Sequence, residues 1–360
     1  MKYYITLLFF IIFFNCCKKQ QLNDVEYIQI SLNNNFINAS AFIKEVRVIK
    51  LETNDDCLIQ RISKIKYYNK NIFILDIFQN SLMIFNDDGN FEKKLSKVGQ
   101  GPGDYIQIMD FFIQDDFLYI LDFPNQSILK YDFNFQYLGK YNYKTFGSQF
   151  VIKDNICWIN NEPTGQKNDY QFTSISENSV ELNKFLPRRF LSHEYNWSDV
   201  NTFAIFDNKL YSSPKYRNII YKEINNNLIP AYEIKFDLKN FPQNENINDY
   251  DINSPNFRYV LKRNFYVSNQ FLIFDYINNN KIHFCVHDMK NKETNFGIVH
   301  NDLINDFRFF PRWGNGNYLL EEVESIYVIE DFFSLINYNK KIMEIQEDDN
   351  PVIIIYTLKS

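Results

Sequence analysis

The residues whose types and spacing could do chemistry are few, and the sharpest set is His283, Cys285 and His287. They alternate with Ile282, Phe284 and Val286, so a β-strand would present all three on one face. Histidine and cysteine are zinc ligands. Neighbours on one strand face stand about 7 Å apart, however, which strains a compact tetrahedral site. The competing expectation is a half-buried or channel-facing strand. His193 and His300 stand alone, and the chain contains no nucleophile elbow and no His-Glu-x-x-His pair.

A second set is the loop Gly99-Gln100-Gly101-Pro102-Gly103-Asp104-Tyr105. Three glycines invite comparison with a phosphate cradle, but no Gly-Lys-Ser/Thr follows them and no helix opens there. A turn fits better, with glycines supplying φ > 0 and Asp104 capping free amides. Asp76, Asp122 and Asp275 recur at the end of one kind of strand. A catalytic residue is needed once, so repetition argues for turn capping, although a ring of carboxylates around a channel could hold Ca²⁺. The last candidates lie in two insertions. Residues 186–200 hold Arg188, Arg189, His193, Tyr195 and Trp197, and residues 241–263 hold Arg258 and Tyr259. Arginine and polar aromatics are enriched at binding hot spots, and long loops are either functional or irregular dressing.

The elements that must position these residues show themselves as a repeat. Ile72 to Asp76, Leu82 to Phe85 and Phe91 recur as Leu118 to Asp122, Ile128 to Tyr131 and Tyr137, at one offset of 46 residues. A period in the forties suits a four-stranded propeller blade. The glycine loop follows the first repeat, and Leu51-Glu52-Thr53, Cys57-Leu58-Ile59 and Ile62 precede it. Over residues 46–141 this pattern resembles the six-bladed β-propeller lipoproteins of Bacteroidetes, distant in likeness to NHL-repeat propellers. That resemblance implies the fold and brings no settled activity.

The expected fold is therefore all-β: a six-bladed β-propeller over residues 41–360, closed by an N-terminal strand near Val46 to Leu51 joining the C-terminal blade. Units are expected at 61–105, 106–150, 151–195, 200–245, 262–305 and 318–357, with Ile156 to Ile159 on an inner strand of the third. Ser325 to Ile329 is read as a strand of the sixth. The 36 Phe and 25 Tyr favour strands. With only 10 Gly and 10 Pro, turns fall to Asn and Asp, as at Asn225 to Asn227 and Asn278 to Asn280.

At the other end, Lys2 precedes an apolar run from Ile5 to Phe14 and then Cys16-Cys17-Lys18-Lys19. This reads as a lipoprotein-type signal over 1–15, with Cys16 acylated and residues 16–40 serving as a tether. The run is too short to span a bilayer, which needs about twenty residues. A net charge of −6 argues against nucleic acid, and scattered cysteines argue against a disulfide framework. The expectation is a lipid-anchored envelope protein, in the outer membrane and facing the periplasm. It would bind an envelope protein, peptide or glycan, without cofactor unless Ca²⁺. The alternative is a propeller hydrolase or lyase working at the channel.

Overall fold

Apolar runs as unbroken as Ile72-Phe73-Ile74-Leu75 need cover on both faces, and the structure supplies it by sandwiching each sheet between two others. The computed structural model describes residues 25–33, 35–162, 169–188, 201–214, 217–237, 239–242, 245, 249–251, 254 and 256–360. The chain enters through β1 (Glu26–Ile30), β2 (Phe36–Asn38) and β3 (Ile43–Lys50). Blade one is β4 (Ile62–Tyr68), β5 (Asn71–Asp76), β6 (Ser81–Asn86) and β7 (Phe91–Leu95). Blade two is β8 (Ile108–Gln114), β9 (Phe117–Asp122), β10 (Ser127–Asp132) and β11 (Tyr137–Asn142). Blade three is β12 (Gly147–Lys153), β13 (Ile156–Asn161), β14 (Tyr170–Ser176) and β15 (Glu181–Pro187). Blade four is β16 (Phe203–Phe206), β17 (Lys209–Ser212), β18 (Ile219–Ile224) and β19 (Asn227–Phe236). Blade five is β20 (Lys262–Val267), β21 (Phe271–Asn278), β22 (Lys281–Asp288) and β23 (Glu293–His300). Blade six is β24 (Trp313–Asn315), β25 (Tyr318–Val323), β26 (Val352–Leu358) and the early strand β3.

The fold is thus a six-bladed β-propeller, and its closure is the expected one: β3 pairs antiparallel with β26, setting Ile49 opposite Ile353. Second strands are buried almost throughout, whereas the outermost β11 alternates between half-buried and exposed. The apolar clusters lie between blades. Ile65, Ile74, Trp313 and Ile353 join blades six and one, and Leu75, Leu82, Phe111 and Ile120 join one and two.

Three expectations need correction. The stretch read as a tether contributes two strands: β1 adds in parallel to the outer edge of β19, and β2 to that of β23. Alternation in Tyr27-Ile28-Gln29-Ile30 drives this, because Ile28 and Ile30 are buried and Tyr27 is exposed. Where this segment passes blade five, a Cβ on Gly297 would stand 2.3 Å from Asn35 O, so only glycine fits. Second, the innermost strand of blade three is β12, and Ile156 to Ile159 lie on its neighbour β13. Third, Ser325–Glu330 is a helix, α1, followed by α2 (Phe332–Leu335). Its buried residues, Ser325 and Val328, stand three apart, so a helical turn buries what a strand would have split between two faces.

Connection length divides the two ends of the ring more than turn type does, since Asn279-Asn280 carries a positive-φ pair at the end opposite the other such hairpins. At one end Asn69-Lys70, Asp115-Asp116, Asp154-Asn155, Asp207-Asn208 and Asn225-Asn226 form two-residue hairpins with both φ positive, the pattern of type I′ turns. Every connection longer than four residues leaves from the opposite end.

Candidate functional site at the channel mouth

That loop-rich end surrounds a cavity of about 470 Å³ at the mouth of the central channel. The innermost strands deliver side chains to it from their first residues: Lys64 from β4, Met109 and Asp110 from β8, Gln149 from β12 and Trp313 from β24. Loops between second and third strands add Phe78, Phe123 and Glu162. Arg61 stands on the rim with its guanidinium 5.3 Å from the Phe78 ring centre, a cation–π arrangement.

Polar links join all six blades around this mouth. Lys64 Nζ donates to Asp110 Oδ1 at 2.5 Å and to Phe111 O at 2.9 Å. Asp110 Oδ2 accepts from Phe150 N, and Gln149 Oε1 accepts from Thr202 N and Oγ1. Asn201 N donates to Asn264 Oδ1, Tyr266 OH to Pro311 O, and Trp313 Nε1 to Ser63 O. Each contact crosses one blade junction, so together they close a belt. Asp110 is only 2% exposed and both its oxygens are engaged. It is a strut of the belt, and the chemistry left to the mouth belongs to Arg61, Glu162 and the aromatic rim. Among the described residues no side chain pairs with the Glu162 carboxylate.

The repeated acids hold turns. Asp76 accepts from Gln60 N, Phe78 N and Gln79 N, and Asp122 from Ile106 N and Gln107 N. Asp275 lies inside its strand and accepts from Asn264 N at the bulge of β20. In blade six Glu321 does this work by accepting from Phe310 N. Burial pushes the Asp275 carboxyl above its ordinary range, against the pull of Arg263.

The glycine loop is a buckle between blades one and two. Gly99 N donates to Tyr105 O, Tyr105 N to Lys97 O, and Gly101 N to Asp104 Oδ2. Tyr105 is buried and its hydroxyl donates to Asn80 O. Of the three glycines only Gly103 has positive φ, at +80°. Pro102 is exposed at the tip.

His283, Cys285 and His287 share one face of β22, as alternation requires, and each is engaged separately. His283 stacks on Tyr276 at 5.3 Å, and Cys285 is buried in the core, which pushes its thiol pKa up. His287 Nδ1 lies 2.8 Å from Thr294 Oγ1, and Nε2 lies 3.1 Å from Glu26 Oε1. Burial lowers its pKa, partly offset by Glu26. No group of three His, Cys, Asp or Glu side chains among the described residues could hold a metal ion.

Of the first insertion, Arg188 is described: its Nη2 donates to Asn161 O. Arg189, His193, Tyr195 and Trp197 lie outside the described residues, as do Cys16 and the whole signal segment. In the second, Arg258 is exposed over Tyr259, which packs edge-on with Phe241, Tyr250 and Phe257. The insertions leave the same end of the ring at different junctions, three/four and four/five. Sequence reasoning missed Arg61, Lys64, Asp110 and Trp313, whose only signal is their place at the start of inner strands.

A family model described as "Domain of unknown function (DUF4934)" matches residues 26–357. Among solved structures, a Bacteroides fragilis protein described as exported is similar with a TM-score of 0.70 at 18% identity, over 93% of this chain and 100% of that one. A member of the duf4221 family from Bacteroides vulgatus is similar with a TM-score of 0.55 at 10% identity, over 88% and 97%. At these identities the likeness shows the fold alone. No curated protein matches the sequence.

Proposed function

The chain belongs to this family of unknown function, and from that premise we propose that it is a lipid-anchored protein of the cell envelope whose propeller binds a peptide, glycan or protein partner at the channel mouth. The observation that carries this reading is the pairing of a belted, rigid mouth with the long connections that surround it. A preformed concave site with apolar walls and a few charged groups is what a ligand pocket requires, and binding to a preorganised site costs less ordering. Arg61, Phe78 and Glu162 supply charge of both signs beside an aromatic face, which suits a polypeptide or sugar better than a nucleotide. Placement in the envelope is supported by the apolar run from Ile5 to Phe14 ahead of Cys16 and by the exported Bacteroides protein of like fold. The outer membrane, with the propeller facing the periplasm, is the position we favour for the anchor.

A thermal-shift screen of peptides, glycans, nucleotides and divalent metals tests the binding reading. Ligand at a hundred times its dissociation constant adds about 2.7 kcal/mol to stability. We expect a peptide or glycan to raise Tm, and the double substitution Arg61→Ala with Phe78→Ala to remove that rise. A shift with Ca²⁺ or Zn²⁺ alone would turn the reading towards a channel hydrolase or lyase. For the anchor, Cys16→Ser should end labelling by a palmitate analogue; persistent labelling would move the lipid elsewhere.

A further inference from the structure

The inner strands line a second cavity further along the channel, of about 180 Å³. Its walls come from later residues of the inner strands: Phe112 of β8, Val151 of β12, Phe265 and Tyr266 of β20. Into this chamber β4 projects one cation, Lys66. Among the described residues its ammonium has no hydrogen bond and no ion pair. No Asp or Glu lines the cavity, and Asp110, whose charge acts on Lys66 against that of Lys64, is already held by Lys64 and Phe150 N. The amide of Asn315 is tied to the neighbouring strand, accepting from Tyr67 N and donating to Tyr67 O.

A solitary amine sharing a narrow cavity with Phe112, Val151 and Phe265 is costly unless something meets its charge. We propose that this chamber is a binding site for a small carboxylate with an aromatic or short aliphatic body, its charge met by Lys66. One cation suits a monoanion, where a phosphate dianion would need several. The volume lies below the roughly 300–1,000 Å³ of pockets for drug-sized ligands, so the body is a single ring or a short chain. The inference does not rest on the reading of the mouth, and either can fail alone.

Calorimetric titration of the full chain with phenylacetate and with its neutral isostere phenylacetamide, at pH 6.5, tests it. The expected result is that phenylacetate binds at least tenfold more tightly, and that Lys66→Met binds both ligands weakly and equally. Equal binding of the two by the unsubstituted protein, binding of neither, or a preference that survives in Lys66→Met would each overturn the proposal. The first comparison needs no variant, so it decides even if the substitution perturbs folding.

Discussion

Glu321 keeps its proton to an unusually high pH because it is 1% exposed: burial raises its pKa to about 7, against hydrogen bonds from Phe310 N and Tyr356 OH and the nearby Arg308. An acid with a raised folded pKa stabilises the fold below its unfolded value, near 4.5, and that contribution is lost as pH rises to about 7. Glu321→Gln mimics the protonated form. Chemical denaturation of this variant should therefore show a flatter profile from pH 4.5 to 7, with a difference on the order of 3 kcal/mol across the window; parallel profiles would sink the assignment. Buried Lys262, lowered to about 7 by desolvation, has the opposite sign and adds stability as pH climbs from there towards 10.5. The glycine loop offers a backbone test. Gly103 has φ +80°, and a Cβ there would meet Tyr137 Cβ at 2.6 Å. Gly103→Ala should cost about 2 kcal/mol or more in urea denaturation, and an unchanged midpoint would remove the buckle role. Residue chemistry was only partly legible beforehand. Capping by Asp104, Asp76 and Asp122 followed from turn-forming residue types at repeated places. Lys66 and Glu321 did not, because a charge in an alternating strand gives no sign of which parity faces a cavity.

The extra parallel strands carry the argument at the scale of elements. Ile28 and Ile30 of β1 are buried against Ile234 and Phe236 of β19, and Glu26 reaches His287 and Lys292 of the next blade. Large-to-small changes at such sites cost about 2–5 kcal/mol. Ile30→Ala is accordingly expected to lower stability by that amount, whereas Tyr27→Ala, at an exposed position, should fall within about 0.5 kcal/mol. Equal effects from the two would mean that β1 does not dock as described. This element was missed because its polar, Asn-rich flanks outweighed five residues of clean alternation. The repeat of blades one and two read correctly for the converse reason. Phe85 packs on Phe91 as Tyr131 packs on Tyr137, with a bulge at the same point of each ladder, so spacing and packing repeat together. Helix α1 defeated propensity: Ile326, Tyr327 and Ile329 are residue types enriched in strands, yet no strand edge is offered between β25 and β26.

Closure of the whole ring depends on blade six, the one blade assembled from both ends of the chain. Its strands face two clusters at once. Ile354 and Tyr356 pack towards blade five, and Ile353 and Ile355 towards blade one. Loss of β26 would therefore bare both interfaces, strip β3 of its partner and break the belt where Trp313 reaches Ser63. Each buried side chain of this size is worth about 2–5 kcal/mol, and the four together rival or exceed the 5–15 kcal/mol by which a native domain is stable. A chain ending at Asn350 is thus expected to lose its fold altogether rather than to leave five blades standing. Near-ultraviolet dichroism and gel filtration distinguish the outcomes: loss of the tertiary signal with an expanded radius, and so earlier elution, is the expected one. A truncated chain that keeps a tertiary signal and a compact radius would show that five blades hold without closure, and that the belt around the mouth is an ornament of the ring and not a condition of it.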